Sequence, residues 1–537
     1  MLAVKAGFVP LHSFMELGKA QEMFEVQSHL TGTWVRGKRE HPLFDPSSEE
    51  RVGTAWCDPP LEGVLEAARA AGPGLRARSF GERGAMLDAL SKTLRNHREE
   101  LIDVSIRATG STRADAKFDI DGGIGTMAYY AGIGSKLGNK RSLVEPGEAL
   151  TKDPRFYGMH LWVTRPGVAL HINAFNFPAW NLAEKLSVAI LAGVPVISKP
   201  ATSTSILAHR MAQIIVESGV LPQNAFQFLV GKADGILEAL GPQDHIVFTG
   251  SASTGAKLRQ TSAVVHRSTR LNIEADSLNS AWLLPEVAPG SEVYQAFMRD
   301  VIKEITQKAG QKCTATRRIF IHRSIIDTLQ SELIEGLEGV RIGHPSLEEV
   351  HVGPLATRDQ VLEFHRGVEA LIGSGARLVF GDPKKVHPIG VPEGKGYFVP
   401  IILLRADNPK QSDAVHQIEV FGPCATLCPY DSIEEGGELI CKGDGSLVAS
   451  IYGEERESLR RALDAIAPFH GRMLVVNPKV VGKTISPGTV LPSCIHGGPG
   501  RAGGGEELGG ERALRFYMQR VALQGDRAFL EQWEEGQ

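Results

Sequence analysis

The chain has 537 residues, 42% of them apolar and 22% charged, with a formal net charge of −4 at neutral pH. That balance gives no basic field for nucleic acid or anionic lipid, and no segment has the roughly 20 uninterrupted apolar residues of a membrane span. Cys57, Cys313, Cys424, Cys428, Cys441 and Cys494 are scattered, with no zinc-ligand spacing, so no metal is expected and a reducing cytoplasm fits.

A chain this long is expected to form two or three structural units. Its first residues, MLAVKAGFVPLHSFMELGKAQEMF, lack a basic flank, a long apolar run and a small-residue cleavage site, and read as an irregular arm. From residue 160 to 290 short apolar runs alternate with helical stretches. GVALHI (167–172) is a predicted strand, Trp180–Ala192 a helix, VPVIS (194–198) a strand and Ser205–Ser218 an amphipathic helix. A strand at 226–230, a helix near 234–240, a strand at 246–249, a helix from Ser253, and strands at 271–273 and 281–284 complete the run. Such alternation predicts a parallel sheet with right-handed crossovers, whose ligands lie beyond the carboxyl ends of its strands.

The unusual residues fall at those ends: Asn173 to Asn176, Lys199-Pro200, Gly231, Gly250-Ser251 and Glu274. Each by itself also suits an ordinary turn, and a lysine such as Lys199 is most often solvated. Jointly they suggest a dinucleotide crevice. GSASTG (250–255) adds hydroxyls and N–H groups at a helix start, suitable for pyrophosphate although it is no GxGxxG fingerprint.

Residues 290 to 480 repeat the alternation, with predicted strands RRIFIH, ARLVF, VPIILL and LVASIY. Just before the first lies KAGQKCTATRR, where Cys313 has bases on both sides and no apolar run to hide in. A lone cysteine is usually a small core residue. Here Lys312 and Arg317 suggest surroundings that favour the nucleophilic thiolate. The Gly-rich IHGGPGRAGGGEELGG (495–510) is too rich in glycine for helix or strand, and the apolar content of FYMQRVALQG after it predicts an ordered loop that packs back.

HINAFNFPAW, VISKPATST, FTGSASTG, LNIEADSLNS, GQKCTATRR and IEVFGPCATLCPY, in this order and spacing, resemble the aldehyde dehydrogenase superfamily from about residue 25 to 525. The resemblance implies an α/β fold with a Rossmann-like cofactor domain (25–145 and 166–277) and an α/β catalytic domain (278–490). An oligomerisation arm (146–165) and a C-terminal segment (491–537) would complete it, in a homodimer. By motif match it implies Cys313 as nucleophile, Asn176 as oxyanion donor and Glu274 as the base for thioester hydrolysis. Lys185 and Glu507 match a proton relay. Lys199, Thr202, Ser203, Gly250, Ser251, Glu419 and Phe421 match cofactor contacts. Ala275-Asp276 replaces the usual Leu-Gly after the base, which puts the local backbone in question.

The altered tail motif, HGGPGRAGGGEELGG, looks like the branch that handles CoA-bound semialdehydes from aerobic aromatic-ring cleavage. One member of that branch carries a fused hydratase domain after the dehydrogenase. This chain stops near where that domain would begin, so the expectation is a stand-alone enzyme of benzoate degradation, acting on 3,4-dehydroadipyl-CoA semialdehyde. The alternatives are the same chemistry on another aliphatic or aromatic aldehyde, a CoA-acylating dehydrogenase, for which a base at Glu274 is unnecessary, or a non-catalytic binding protein on this fold. Thr202 stands where NAD-preferring relatives carry a glutamate, so NADP is the expected cofactor, with NAD possible.

Overall fold

The computed structural model describes residues 23–535, so the predicted N-terminal arm falls largely outside the described residues. Two seven-stranded sheets and two three-stranded sheets organise the chain. The first large sheet runs Arg270–Glu274, His245–Thr249, Ala169–Ile172, Val196–Lys199, Phe226–Phe228, Ser28–Leu30, Thr33–Val35. Its first five strands are parallel, and the last two add antiparallel at the edge. Helices cover both faces of the parallel part, which is why those strands read as unbroken apolar runs.

In chain order the five parallel strands lie fifth, fourth, first, second, third across the sheet. The order therefore reverses beside Ala169–Ile172, and a crevice opens between its carboxyl end and that of His245–Thr249. Open parallel sheets bind their ligands at such a switch point.

Behind this sheet, Pro178–Ala192 packs against the 25-residue helix Arg113–Leu137, which packs in turn on Phe80–Asn96. Thr112 caps the long helix, accepting the Asp115 N–H at 3.2 Å. Its glycines set the spacing: a Cβ on Gly134 would meet the Phe80 carbonyl at 2.6 Å. Leu186, Ala189 and Ile190 are fully buried here, each larger side chain contributing about 1.5–3 kcal/mol.

The second large sheet runs Arg377–Phe380, Ile402–Arg405, Cys424–Tyr430, Arg318–His322, Ser280–Leu283, Ser446–Tyr452, His470–Val476. The strand read at 281–284 thus belongs here and not to the first sheet. It pairs with Arg318–His322 on one side and Ser446–Tyr452 on the other. Periodicity identifies a strand, whereas its sheet is decided by partners far away in sequence.

The segment between the two sheets resolves the question raised by Ala275-Asp276. Ala275 N–H donates to Ala502 O at 3.0 Å, Asp276 Oδ1 accepts the Ala252 N–H at 2.9 Å, and Ser277 N–H donates to Glu419 at 3.0 Å. The departure is accommodated by backbone partners, with Glu274 still in register on its strand. The Gly-rich tail lies against that strand. Gly503 (φ 136°) sits so close that a Cβ would be 2.0 Å from Ile273 O. The tail is an ordered loop, with a bridge between Gly498 and Gly505.

Leu143–Ala149 and Phe156–Thr164 form an antiparallel hairpin, and Met518–Asp526 pairs with the second strand from Met518–Thr164 to Asp526–Phe156. Among the described residues no helix is long and apolar enough to cross a membrane.

Candidate functional site

The Cys313 loop is built from strained backbone. Lys308, Ala309 and Gly310 take φ of 58°, 51° and 68° in succession, a left-handed run that persists only where surroundings impose it. Lys308 supplies the constraint, its N–H donating to Asp115 Oδ1 and its ammonium to Ser111 Oγ, both at 3.1 Å. Gly310 lets the loop press on its neighbour, since a Cβ there would lie 2.2 Å from Gly422 O. Asn279, at the entrance to the second sheet, donates to the Cys313 and Ala315 carbonyls at 2.7 and 2.9 Å.

The flanking bases do not serve the thiol as their sequence position suggested. Lys312 is fully buried and donates to Glu304 at 2.6 Å and to Gln307 at 2.9 Å. Arg317 is turned to the carbonyls of Gly310, Lys312 and Gly422 and to Glu419. Burial, together with the Glu274 carboxylate, raises the Cys313 thiol well above its ordinary range. A base close in sequence is not close to the sulfur when its own charge is already matched.

Glu274 ends the edge strand and faces Cys313. Burial alone would raise its pKa, but His496 at 3.4 Å and the Cys313 thiol outweigh that and hold it down to about 2. The sulfur, a Glu274 oxygen and a His496 ring nitrogen all lie within 4.8 Å of one another. Asn176 donates through Nδ2 to Gln311 O at 3.0 Å, which leaves its second N–H for another acceptor. It lines the same cavity as Cys313, Phe118, Phe177 and Trp180.

Lys185 projects from Pro178–Ala192 into the switch-point crevice, donating to Asn173 Oδ1 at 3.0 Å and Thr249 Oγ1 at 2.8 Å. Burial lowers its pKa, against the attraction of Glu274 and Glu184. Glu184, beside it, is raised by burial and by Glu274. Glu184, Lys185, Thr249, Glu274 and His496 line both the Cys313 cavity and a second cavity behind it, so these side chains form a wall between the two. Glu507 accepts the Gly509 N–H at 2.7 Å and lies near Tyr130, while its neighbours Glu506 and Leu508 line the rear cavity.

Sequence reasoning passed over Glu184 and His496. Glu184 is adjacent to a residue that was chosen. His496 is a single imidazole in a Gly-rich loop, and only the fold carries it to Glu274.

The residues matched to a cofactor are spread along the crevice. Lys199 ends its strand, donating to Pro200 O at 3.3 Å, its pKa lowered by burial. Thr202 and Ser203 are half-buried in a short 3₁₀ turn, and Thr204 donates to Phe175 O at 2.9 Å instead of capping the following helix. Gly250 N–H donates to Glu274 O at 3.1 Å, and Ser251 caps helix Ala252–Arg259, accepting the Thr254 N–H at 3.3 Å. Glu419 bonds Ser277 N–H and Arg317; burial carries it up to about 7 although Arg317 opposes the shift. Phe421 packs edge-on against Phe175 with centroids 5.7 Å apart.

The model of the aldehyde dehydrogenase family matches residues 34–522. A 3,4-dehydroadipyl-CoA semialdehyde dehydrogenase from Aromatoleum evansii is 40% identical over 481 residues, covering 88% of this chain and 93% of that protein. A betaine aldehyde dehydrogenase from Staphylococcus aureus, solved with NAD+, aligns with a TM-score of 0.81 at 19% identity, over 93% of this chain and 96% of that one. A 3,6-anhydro-L-galactose dehydrogenase solved with NADP gives a TM-score of 0.80 at 18% identity, over 94% and 100%. At those identities the two structures speak for the fold.

Proposed function

The chain belongs to the aldehyde dehydrogenase family, and from that premise we propose that it oxidises a CoA-linked semialdehyde to the carboxylate, with NADP as the preferred cofactor. One observation carries the chemistry: Cys313, Glu274 and Asn176, far apart in sequence, converge on one cavity beside the switch point of a parallel sheet.

The crevice suits a dinucleotide phosphate in its donor set. Lys199 and the Thr202 and Ser203 hydroxyls are donors near the second strand, where no carboxylate stands in their own segment to repel a 2′-phosphate. Ser251 and the helix it caps face the same strand ends, and Glu419 and Phe421 would hold the nicotinamide half. The chemistry such a cofactor supplies when bound is acceptance of the hydride.

The chain's own residues do the rest. Cys313 Sγ attacks the aldehyde carbon as its proton passes to the adjoining Glu274 and on towards Lys185 and Glu184, and the free N–H of Asn176 with the Cys313 N–H meets the developing oxyanion. After oxidation the carbonyl carbon is held as a thioester on Cys313. Glu274, ionised throughout the physiological range, takes a proton from the attacking water. Lys185 and Glu184 line the onward path, with Glu507 at its outer side near Tyr130.

The substrate assignment is supported by 40% identity to an enzyme named for 3,4-dehydroadipyl-CoA semialdehyde. The tail motif supports a place in aerobic benzoate degradation, and scattered free cysteines fit a reducing cytoplasm. Purified enzyme with matched free and CoA-linked semialdehydes is expected to prefer the CoA-linked ones and to release a free carboxylate. Equal rates on both sets, or an acyl-CoA product, overturn the assignment.

The exposed sheet made by Leu143–Ala149, Phe156–Thr164 and Met518–Asp526 is proposed as the arm of a homodimer. Val521 and Phe156 leave apolar surface on it, 36% and 43% exposed. Light scattering at micromolar concentration is expected to give twice the chain mass, and a monomer mass rejects the arm.

A further inference from the structure

His496 takes no step in the reaction above. Its side chain is only 4% exposed, and neither ring nitrogen makes a hydrogen bond among the described residues. A buried imidazole left so is costly to keep unless another group meets it. Backbone holds it in place: its loop is pinned through Ala502 O to Ala275 N–H and through Gly503 O to Arg259. Nε2 faces Glu274 Oε2 at 3.4 Å, and the Cys313 thiol bonds the same carboxylate. Sulfur, carboxylate oxygen and imidazole nitrogen thus lie within 4.8 Å of one another on the wall of one cavity.

We propose that Cys313, Glu274 and His496 form a binding site for a divalent ion of the zinc type, which silences the enzyme by occupying its nucleophile and its base together. The site stands on geometry, and the silencing rests on the covalent reading of Cys313. Thiolate, carboxylate and imidazole are the donor types that zinc takes in proteins, and three such ligands leave a fourth position for water. Bonds of about 2.0–2.3 Å at tetrahedral angles set the ligand atoms roughly 3.3–3.6 Å apart. The nitrogen–oxygen pair, at 3.4 Å, already stands at that separation. The sulfur has at most about an ångström to close.

Charge favours the ion. On binding it displaces the thiol proton and the proton on Nε2, and both leave to solvent. Two anionic ligands then face its two positive charges. Glu184 on the same wall opposes the Lys185 ammonium, which is already engaged by Asn173 and Thr249. Magnesium and calcium need more oxygen donors than this set supplies. No spacing along the chain announces the site, because its ligands come from an edge strand, a strained loop and the Gly-rich tail. Only the fold assembles them.

The test uses untagged, cofactor-free enzyme, stripped with a chelator and titrated with cobalt(II) as a spectroscopic substitute for zinc. Wild type is expected to take up about one ion per chain, with a thiolate-to-cobalt charge-transfer band in the near ultraviolet. Zinc should displace the cobalt, protect Cys313 from iodoacetamide and stop turnover until a chelator is added. Cys313→Ala should lose the charge-transfer band. His496→Phe, and His496→Gln in case the first does not fold, should bind both metals at least roughly tenfold more weakly. Unchanged affinity in the His496 variants means that the thiol holds metal without the imidazole, and overturns the proposal. So does a band that survives in Cys313→Ala, a wild type that takes up no ion, or full turnover with zinc bound. An enzyme inactive on every aldehyde overturns the proposed function instead, and the cobalt titration still decides the site.

Discussion

The Lys185 ammonium donates to Thr249 Oγ1 at 2.8 Å across the point where the order of the parallel strands reverses. With its bond to Asn173 it ties together the ends of the two strands that frame the crevice. The same side chain that lines the proposed proton path thus also fixes the width of the opening. That dual engagement gives physical content to a lysine which, on a helix read from sequence, looks like any other.

Cys313→Ala is expected to abolish aldehyde oxidation and leave cofactor binding nearly intact. More than a few per cent of residual turnover would rule out covalent catalysis. The thiol's elevated pKa adds a second expectation for cofactor-free enzyme. Because the Glu274 carboxylate helps to raise it, removing that charge in Glu274→Gln shifts thiol titration to lower pH. Iodoacetamide should then alkylate Cys313 faster at neutral pH in the variant than in wild type. A slower or equal rate contradicts the electrostatic account.

Glu274→Gln should separate the half-reactions. An amide cannot take a proton from water, so rapid mixing with an aldehyde is expected to give one equivalent of reduced cofactor followed by turnover slowed at least a hundredfold. Unchanged steady-state turnover would place the base on another residue.

Thr202→Glu puts a carboxylate among the donors proposed for the adenosine end of the cofactor. It should raise the Michaelis constant for NADP several-fold and affect NAD much less. Wild-type enzyme with equal or better catalytic efficiency on NAD would refute the preference from which this prediction starts.

Lys312→Met leaves Glu304 buried without its cation. Glu304 also accepts the Ser486 hydroxyl and the Gly488 N–H, so this carboxylate anchors the C-terminal loop. Breaking such a pair costs about 3–5 kcal/mol, and replacing both partners with apolar residues costs much less. Thermal unfolding should show a clearly lowered midpoint for the single variant and substantial recovery in Glu304→Met/Lys312→Met. A single variant as stable as wild type contradicts the anchoring role.

Most of the first sheet was legible because its strands are buried on both faces and its helices carry a clear apolar stripe. Cys313, Glu274 and Asn176 were legible as members of ordered motifs. Lys312 was misjudged because its partner, Glu304, lies eight positions earlier near the end of the preceding helix, where sequence gives no hint of pairing. Periodicity ran the strand at Ser280–Leu283 on with the first sheet, since nothing local distinguishes its neighbours, whereas the domain bounds implied by the resemblance set it in the second unit. His496 left no periodic signal at all. Its meaning depends on a Gly-rich loop lying flat against Arg270–Glu274.

That loop has a consequence for how the enzyme comes into being. A ribosome delivers the chain from its N-terminus, and domains generally fold as they emerge. Asn176, Glu274 and Cys313 are all synthesised well before Gly488, which accepts the Thr314 hydroxyl, and before His496 and Gly503. The pocket proposed for the aldehyde therefore lacks one side until the Gly-rich loop has left the exit tunnel. Until then the nascent protein carries a thiol without its full enclosure.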